Sequence, residues 1–196
     1  MAIDSDLELM LRVRSGDAES FEVLLSRHRK PLISYFCRMV RDQALAEDLA
    51  QEVFLRVYLA RERYQPEARF TTWLYRIATN LALNAIRDRR DTERGADAPY
   101  DEDDQLESPV ARIADSGPSV EQSLMRRDRE RTIRQAVRAL PDNQRAAVIL
   151  HKYQEVDYRQ IAKILGVSES AVKSLLFRAY ETLRERLQPL LEGGRI

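Results

Sequence analysis

Residues 158–176, with the sequence YRQIAKILGVSESAVKSLL, have the residue pattern of a helix-turn-helix. Apolar and small side chains recur at helical spacing on both sides of a glycine, at Ile161, Ala162, Leu165, Val172 and Leu176. Gly166 can end the first helix because glycine adopts left-handed backbone angles without a steric cost. Asp157 and Ser168 each precede a helix and are suited to cap it. The stretch therefore predicts two packed helices joined by a tight turn.

The second helix of this motif has an outer face that suits DNA. At about 100° per residue, the side chains opposite its apolar face are Ser170, Lys173, Ser174, Phe177 and Arg178. Basic groups can bind phosphates or guanine edges, hydroxyls can bond base edges, and a phenyl ring can contact a thymine methyl group. The pattern predicts a recognition helix in the major groove. The alternative is a core-packed hairpin with a solvated basic face.

The composition fits a globular chain with a substantial core. Of its 196 residues, 44% are hydrophobic and 33% are charged, which allows one or two compact domains. No run approaches the roughly 20 apolar residues of a membrane span, and the N-terminus is acidic where a signal peptide would be basic. We therefore expect a cytoplasmic protein without membrane insertion.

The residue inventory also limits the possible chemistry. Cys37 is the single cysteine and the chain has 2 histidines, so no cluster has metal-ligand spacing. Paired carboxylates, nucleophile motifs and glycine-rich phosphate loops are not discernible. The sequence predicts no catalytic residues, no metal site, no cofactor and no enzymatic activity. Cys37 is expected to pack in a core.

The net charge of zero is the sum of three unequal segments. Residues 1–90 carry 15 basic and 13 acidic groups, residues 91–118 carry 2 and 9, and residues 119–196 carry 15 and 10. The middle segment also contains prolines, glycines and an acidic cluster at Asp101–Asp104. We expect an all-α protein with helical domains at 1–90 and 119–196, joined by a flexible acidic linker at 91–118.

One helix of the N-terminal domain, predicted from about Leu45 to Ala60, has a broad outer face. The side chains on that face are Asp48, Gln51, Glu52, Leu55 and Arg56. An exposed leucine among charged neighbours suits contact with a partner protein. The same face could instead be simply solvated.

The next helix, predicted to be capped by Thr71 or Thr72, alternates aromatic, amide and guanidinium groups. They are Trp73, Arg76, Asn80, Asn84 and Arg87, with Arg89 and Arg90 extending the charge. Upstream, Tyr64 and Phe70 lie on a proline-bearing loop that could form a pocket wall. Such a face can bind phosphates and hold an unpaired base by stacking and amide hydrogen bonds. Trp73 could instead be a core aromatic residue.

Four segments, in this order, resemble the extracytoplasmic-function sigma factors of the sigma-70 superfamily. They are DLAQEVFLRVY at 48–58, RFTTWLYRIATNLALNAIR at 69–87, LPDNQRAAVIL at 140–150 and VKSLLFRAYETL at 172–183. The resemblance implies an alternative sigma factor that binds bacterial core RNA polymerase, recognises promoters and helps to open the DNA. It also implies contacts with the β′ clamp helices and β flap of the polymerase, with promoter DNA, and with an anti-sigma factor.

The resemblance assigns roles to residues by position. It implies polymerase docking by Asp48, Gln51, Glu52 and Arg56. For the minus-ten element, it implies base capture by Tyr64, Phe70, Asn80 and Asn84, and backbone contacts by Arg87, Arg89 and Arg90. For the minus-thirty-five element, it implies reading by Lys173, Ser174, Phe177 and Arg178, with Tyr158 and Arg159 near phosphates. The chain departs from the family at Leu175 and Tyr180, where members often carry arginines, so backbone affinity there is open.

Two other functions fit parts of the pattern. A stand-alone helix-turn-helix regulator would bind duplex DNA tightly without polymerase. A helical adaptor whose basic faces contact acidic proteins would show no preference for promoter sequences. DNA binding with and without core polymerase separates these functions.

Overall fold

The computed structural model describes residues 5–40, 42–95 and 120–192 of the chain. Within these ranges the protein consists of α-helices and one short 3-10 turn at Arg61–Arg63, with no strand, which confirms the predicted all-α class. The helices of the N-terminal domain are α1 (Ser5–Arg14), α2 (Ala18–Val40), α3 (Gln43–Leu59) and α4 (Phe70–Gly95). Those of the C-terminal domain are α5 (Val120–Arg138), α6 (Asp142–Tyr153), α7 (Tyr158–Leu165) and α8 (Glu169–Glu192).

Aspartates begin two of the N-terminal helices. Gly16 turns the chain after α1 with a φ of 96°, and the Asp17 carboxylate then accepts the backbone N–H and the hydroxyl of Ser20 at 3.2 and 2.7 Å. These hydrogen bonds from Ser20 lower the pKa of Asp17. Asp42 caps α3 by accepting the backbone N–H of Leu45 at 3.0 Å. Each carboxylate satisfies an N–H that its helix cannot pair internally.

A buried hydroxyl pair joins α2 to α4 inside the N-terminal core. The Thr79 hydroxyl donates to the carbonyl of Tyr75 at 2.7 Å and lies 2.8 Å from the Tyr35 hydroxyl. Because the Thr79 proton is used by that carbonyl, the Tyr35 hydroxyl must be the donor of the second bond. Burial raises the pKa of Tyr35 well above its usual range, so this donor keeps its proton.

The helix-turn-helix forms as the sequence predicts. The Asp157 carboxylate accepts the backbone N–H of Gln160 at 2.8 Å and caps α7. Gly166 ends α7 in the left-handed region, with a φ of 67°. Ser168 then caps α8 by accepting the backbone N–H of Ala171 at 3.2 Å. The buried side chains of Ile161, Val172 and Leu176 lie in the core of this domain.

Two local predictions about α4 differ from the structure. Helix α4 begins at Phe70 rather than after a Thr71 or Thr72 cap, and Thr72 is buried. The same helix continues to Gly95, so the first five residues predicted as linker are helical. Residues 96–119, including the acidic cluster Asp101–Asp104, lie outside the described residues.

The two domains pack against each other in this structure. Helix α4 contacts α7, and α2 contacts α5 and α6. The buried apolar side chains of both domains accordingly form one continuous cluster. The minus-ten helix suggested by the sequence therefore lies against the first helix of the helix-turn-helix.

Candidate nucleic-acid interface

The outer face of α8 is open to solvent as predicted. Lys173, Ser174, Phe177 and Arg178 line a shallow depression of about 470 Å³, and Phe177 is 66% exposed. The Ser174 hydroxyl donates to the carbonyl of Ser170 at 3.0 Å, so toward a ligand it offers its oxygen as an acceptor. This face combines two cations, an acceptor and an exposed ring, which is a set that can read base edges in a major groove.

The hydroxyl of Ser170 is used partly within the motif. It lies 2.9 Å from the hydroxyl of Ser168, the residue that caps α8. Ser170 is exposed at the start of the helix. Its position fits the predicted DNA face, although a DNA contact would compete with this local hydrogen bond.

Tyr158 belongs to an aromatic cluster, with His151 and Tyr180, that was not predicted from the sequence. The His151 ring lies 5.1 Å from the Tyr158 ring, centroid to centroid, and its Nδ1 is 2.9 Å from the Tyr180 hydroxyl. Burial, and then the neighbouring Tyr158, raise the pKa of Tyr180. Arg159, next in sequence to Tyr158, is exposed at the start of α7.

Tyr180 and Leu175, the two positions that depart from the pattern of the resembled family, both make contacts within the C-terminal domain. The Tyr180 hydroxyl is within hydrogen-bond distance of His151, which lies 29 positions away in the sequence. This contact therefore depends on the tertiary structure of the domain. Leu175 is half-buried and packs against the apolar core. An arginine at that position would have to extend its charged end past the core to reach a phosphate.

The polar face of α4 is also exposed. Its members Arg76, Asn80, Asn84 and Arg87 lie at the surface, and Arg89 is exposed nearer the end of the same helix. Arg87 donates to the amide oxygen of Asn84 at 3.1 Å. Helical spacing thus puts Asn80, Asn84, Arg76 and Arg87 on one side of α4, whereas Arg89 lies on another side of the helix.

Tyr64 and Phe70, which were expected to form a pocket wall, are instead buried in the structure. Phe70 is 0% and Tyr64 is 3% exposed, so neither ring can offer its face to a base as the loop is now arranged. Instead, the Tyr64 and Phe70 rings lie 4.9 and 6.1 Å from the ring of half-buried Trp73. Burial of these rings is favourable because it removes a large apolar area from contact with water. Both rings pack against Trp73. Of the three aromatic side chains, Trp73 is the one that is partly exposed.

Arg90 is engaged by the other domain. Its guanidinium donates to both oxygens of the Asp142 carboxylate at 2.7 and 3.0 Å. Asp142 also accepts from buried Arg145 at 2.7 Å. A predicted phosphate-binding arginine therefore has a bidentate protein partner in this structure.

The outer face of α3 keeps its predicted side chains at the surface. Asp48, Gln51 and Arg56 are exposed, and Arg56 donates to Glu52 at 2.7 Å, one helical turn away. Leu55 is 52% exposed, and Leu59, which sequence reasoning missed, is 68% exposed. The signal was its spacing, because Leu59 follows Leu55 by four residues and so shares its face. The α3 surface is more apolar than predicted.

Two structural features are absent from the described residues. No group of three histidine, cysteine, aspartate or glutamate side chains in them could hold a metal ion. No helix among them has the length and hydropathy to cross a membrane.

Family models match both domains. The Sigma-70 region 2 model matches residues 24–92, which contain α3 and most of α2 and α4. The Sigma-70 region 4 model matches residues 130–183, which contain α6 and α7, the turn of the helix-turn-helix and the predicted DNA face of α8.

Curated relatives match over nearly the whole chain. RNA polymerase sigma-H factor of Pseudomonas aeruginosa is 32% identical over 193 residues, covering 96% of each chain. RNA polymerase sigma factor CarQ of Myxococcus xanthus is 36% identical, covering 92% of this chain and 97% of the relative. ECF RNA polymerase sigma factor SigW of Bacillus subtilis is 30% identical, covering 94% and 100%.

Solved structures share the fold. The sigma factor RpoE of Bartonella quintana, in a complex with the anti-sigma factor NepR, has a TM-score of 0.68 and 21% identity over 87% of this chain and 98% of RpoE. CnrH, in a complex with the cytosolic domain of CnrY, has a TM-score of 0.66 and 20% identity over 94% and 97%. With two region models matched in order and relatives covered almost end to end, the chain belongs to the sigma-70 family, as a sigma factor of the extracytoplasmic-function type.

Proposed function

We propose that this protein binds core RNA polymerase in the cytoplasm and directs it to a particular set of promoters as an alternative sigma factor. The observation that carries the proposal is the pairing of two nucleic-acid faces, on α4 and α8, within domains that match sigma regions 2 and 4. The proposed role is binding, since each face offers groups that bind bases and phosphates.

The α4 face is proposed to hold the minus-ten element as single strand. Asn80 and Asn84 can hydrogen-bond the edge of an unpaired base, Trp73 can stack against it, and Arg76, Arg87, Arg89 and Arg90 can follow the backbone. Stacking on an aromatic ring contributes about 1–3 kcal/mol per base, which offsets part of the cost of unpairing. Capture of the base then drives local melting, while buried Tyr64 and Phe70 hold Trp73 in place.

The α8 face is proposed to read the minus-thirty-five element as intact duplex. Lys173 and Arg178 supply cations, Ser174 an acceptor and Phe177 an apolar contact on the exposed side of the helix. Tyr158 and Arg159 at the start of α7, and Ser170 at the start of α8, contact the flanking backbone. Phosphate contacts fix the register of the domain, and they make its affinity salt-dependent.

Protein partners are proposed for the remaining surface. The α3 face, with Asp48, Gln51, Glu52, Leu55 and Arg56, docks on the β′ clamp helices, and exposed Leu59 enlarges its apolar part. The C-terminal domain contacts the β flap. An anti-sigma factor is the proposed inhibitor, and it would compete for these polymerase-binding surfaces.

Transcription in vitro tests the proposal. Purified core polymerase is given a library of promoter fragments with and without this protein, and transcripts are mapped to their start sites. Defined start sites that depend on the protein are expected. Their absence, together with tight duplex binding by the protein alone, would favour the stand-alone regulator instead.

Two pairs of variants separate the faces. Asn80→Ala is expected to reduce promoter melting, and Arg178→Ala to reduce recognition of the duplex element. Asn143→Ala and Arg186→Ala are the matched controls, because Asn143 and Arg186 are exposed outside the two faces. Equal losses in a test variant and its control would contradict the assigned roles.

A further inference from the structure

His151, near the end of α6, contacts both helices of the helix-turn-helix. Its ring lies 5.1 Å from the Tyr158 ring at the start of α7 and 6.4 Å from the Tyr180 ring on α8, measured between centroids. Its Nδ1 is 2.9 Å from the Tyr180 hydroxyl. Two aromatic contacts and a hydrogen bond thus hold the imidazole in one orientation.

The second ring nitrogen of His151 faces solvent. Within the part of the chain that the structure describes, Nε2 has no hydrogen-bond partner. It is also not one of the buried polar atoms that lack a partner, and His151 as a whole is half-buried. One ring nitrogen is therefore fixed by Tyr180, and the other can bond a ligand from outside.

The imidazole lies beside the proposed DNA face of α8. Lys173, Phe177 and Tyr180 follow one another at intervals of four and three residues, so they share one side of that helix. The other ring next to the imidazole belongs to Tyr158, which is proposed to contact the flanking DNA backbone. His151 therefore lies between the side of α8 that is proposed to read bases and a proposed phosphate contact on α7.

The Tyr180 hydroxyl permits both forms of the His151 ring that can donate from Nε2. In one neutral form the hydroxyl donates to Nδ1 and the ring hydrogen is on Nε2, whereas in the imidazolium Nδ1 donates and the hydroxyl accepts. Burial, and then the neighbouring Tyr158, raise the pKa of Tyr180, so its hydroxyl keeps the proton that the neutral form requires. Either form presents an N–H group to a phosphate oxygen, which can only accept.

The charged side chains around the imidazole come from every element that packs on α6, namely α2, α7 and α8, as well as from α6 and the turn after it. They are Lys152 and Glu155 next to the ring in sequence, Arg159 on α7, Arg184 one turn after Tyr180 on α8, and Arg38 on α2, which stacks over Tyr153. Among the described residues, no carboxylate forms an ion pair with His151. A DNA phosphate is therefore the anion that would favour the imidazolium.

We propose that His151 contacts the DNA backbone beside the minus-thirty-five element through an Nε2–H bond to a phosphate oxygen, and that protonation of its ring strengthens this contact. The inference rests on the proposed function, because it requires α8 to hold duplex DNA. Histidine side chains change charge between about pH 5 and 8, and a charged donor binds a phosphate more tightly than a neutral one. DNA binding then takes up a proton from solvent, so duplex affinity rises as the pH falls through this range.

The first test measures the affinity of the holoenzyme for duplex DNA at about pH 6 and about pH 8. The probe is a labelled duplex with the minus-thirty-five region of a promoter identified by the transcription assay, titrated over a series of salt concentrations. Wild-type protein is expected to bind about three- to tenfold more tightly at the lower pH, with a salt slope steeper by about one. His151→Gln, which keeps an N–H donor without a charge, should show neither change. His151→Lys should bind tightly at both pH values.

His28→Gln is the matched control, because His28 is the other of the 2 histidines and lies on α2 of the N-terminal domain. This variant should keep the pH dependence of the wild-type protein. Thermal unfolding establishes that each variant is folded under the binding conditions. A His151→Gln protein with the wild-type pH dependence would overturn the proposal.

The second test distinguishes a direct phosphate contact from support of Tyr158 by the imidazole ring. Duplexes are prepared in which one backbone phosphate at a time is replaced by an uncharged methylphosphonate. At one position the wild-type protein should lose more affinity than His151→Gln does, because the two changes remove the same interaction. Equal losses for both proteins at every position would overturn the assigned contact. Failure of the holoenzyme to bind any promoter duplex would instead contradict the proposed function.

Discussion

Helices α4 and α8 both present a proposed DNA face, yet they are embedded in the protein in different ways. Helix α8 packs on α5, α6 and α7 of its own domain, and its outer side is open. Helix α4 packs on α1, α2 and α3 and also on α7 of the other domain. The proposed duplex-reading face is therefore open in this structure, while Arg90, which extends the proposed single-strand-binding face, is engaged by Asp142 of the other domain.

The largest difference between the two regions should appear in stability when their phenylalanines are compared. Phe70→Ala removes a fully buried ring, which costs about 3–5 kcal/mol in the free energy of unfolding. Phe177→Ala removes an exposed ring and should change that free energy by less than about 0.5 kcal/mol. Denaturant unfolding followed by Trp73 fluorescence and circular dichroism measures both. Similar stability losses would contradict the assignment of Phe70 to the core.

Residues on the exposed face of α8 should matter more for promoter affinity than for stability. Arg178→Ala is expected to weaken binding of the holoenzyme to a minus-thirty-five duplex by about 1–3 kcal/mol if the guanidinium reads a base edge. Filter binding over a series of salt concentrations measures this change. A uniform loss across all sequences, with a salt slope lower by about one, would instead identify Arg178 as a phosphate contact.

Removing a helix cap from the helix-turn-helix should have a smaller effect, on the free energy of unfolding. Asp157→Ala removes the acceptor for the N–H of Gln160 and should lower the free energy of unfolding by about 1 kcal/mol. Asp128→Ala, an exposed aspartate inside α5, is the control and should have little effect. Urea unfolding compares the two. An equal response would show that the loss of a charge, rather than the loss of a cap, determines the result.

The smallest expected effect concerns Tyr180. Tyr180→Phe removes the hydroxyl that lies 2.9 Å from His151. Because this hydrogen bond is exposed, its loss should cost about 0.5 kcal/mol or less in stability and change duplex affinity by less than about threefold. A larger loss of affinity, measured on the same duplex, would mean that the hydroxyl contacts DNA directly.

The sequence predicted the region around α8 better than the region around α4 because the two depend on contacts of different range. The caps Asp157 and Ser168 and the turn at Gly166 act within four residues, so the sequence pattern contains them. The burial of Tyr64 and Phe70 depends on how a loop packs beneath Trp73. Arg90 and Asp142 are 52 residues apart, and local periodicity carries no information about such a pair.

The polar face of α4 is an intermediate case. Its residues Asn80, Asn84 and Arg87 were predicted from helical spacing, and the structure places them together at the surface. The start of α4 at Phe70 was not predicted, because either threonine that follows could have capped the helix. Its extension to Gly95 was not predicted either, since charged residues are common both in linkers and at exposed helix ends.

In the proposed mechanism, α4 traps an unpaired base while α8 holds intact duplex nearby. The most direct measurement places 2-aminopurine in the minus-ten element and records its fluorescence as core polymerase and this protein assemble on the promoter. We predict a rise that requires both proteins, falls strongly with Asn80→Ala and is unchanged with Asn143→Ala. A holoenzyme that binds the promoter without any rise in fluorescence would contradict the claim.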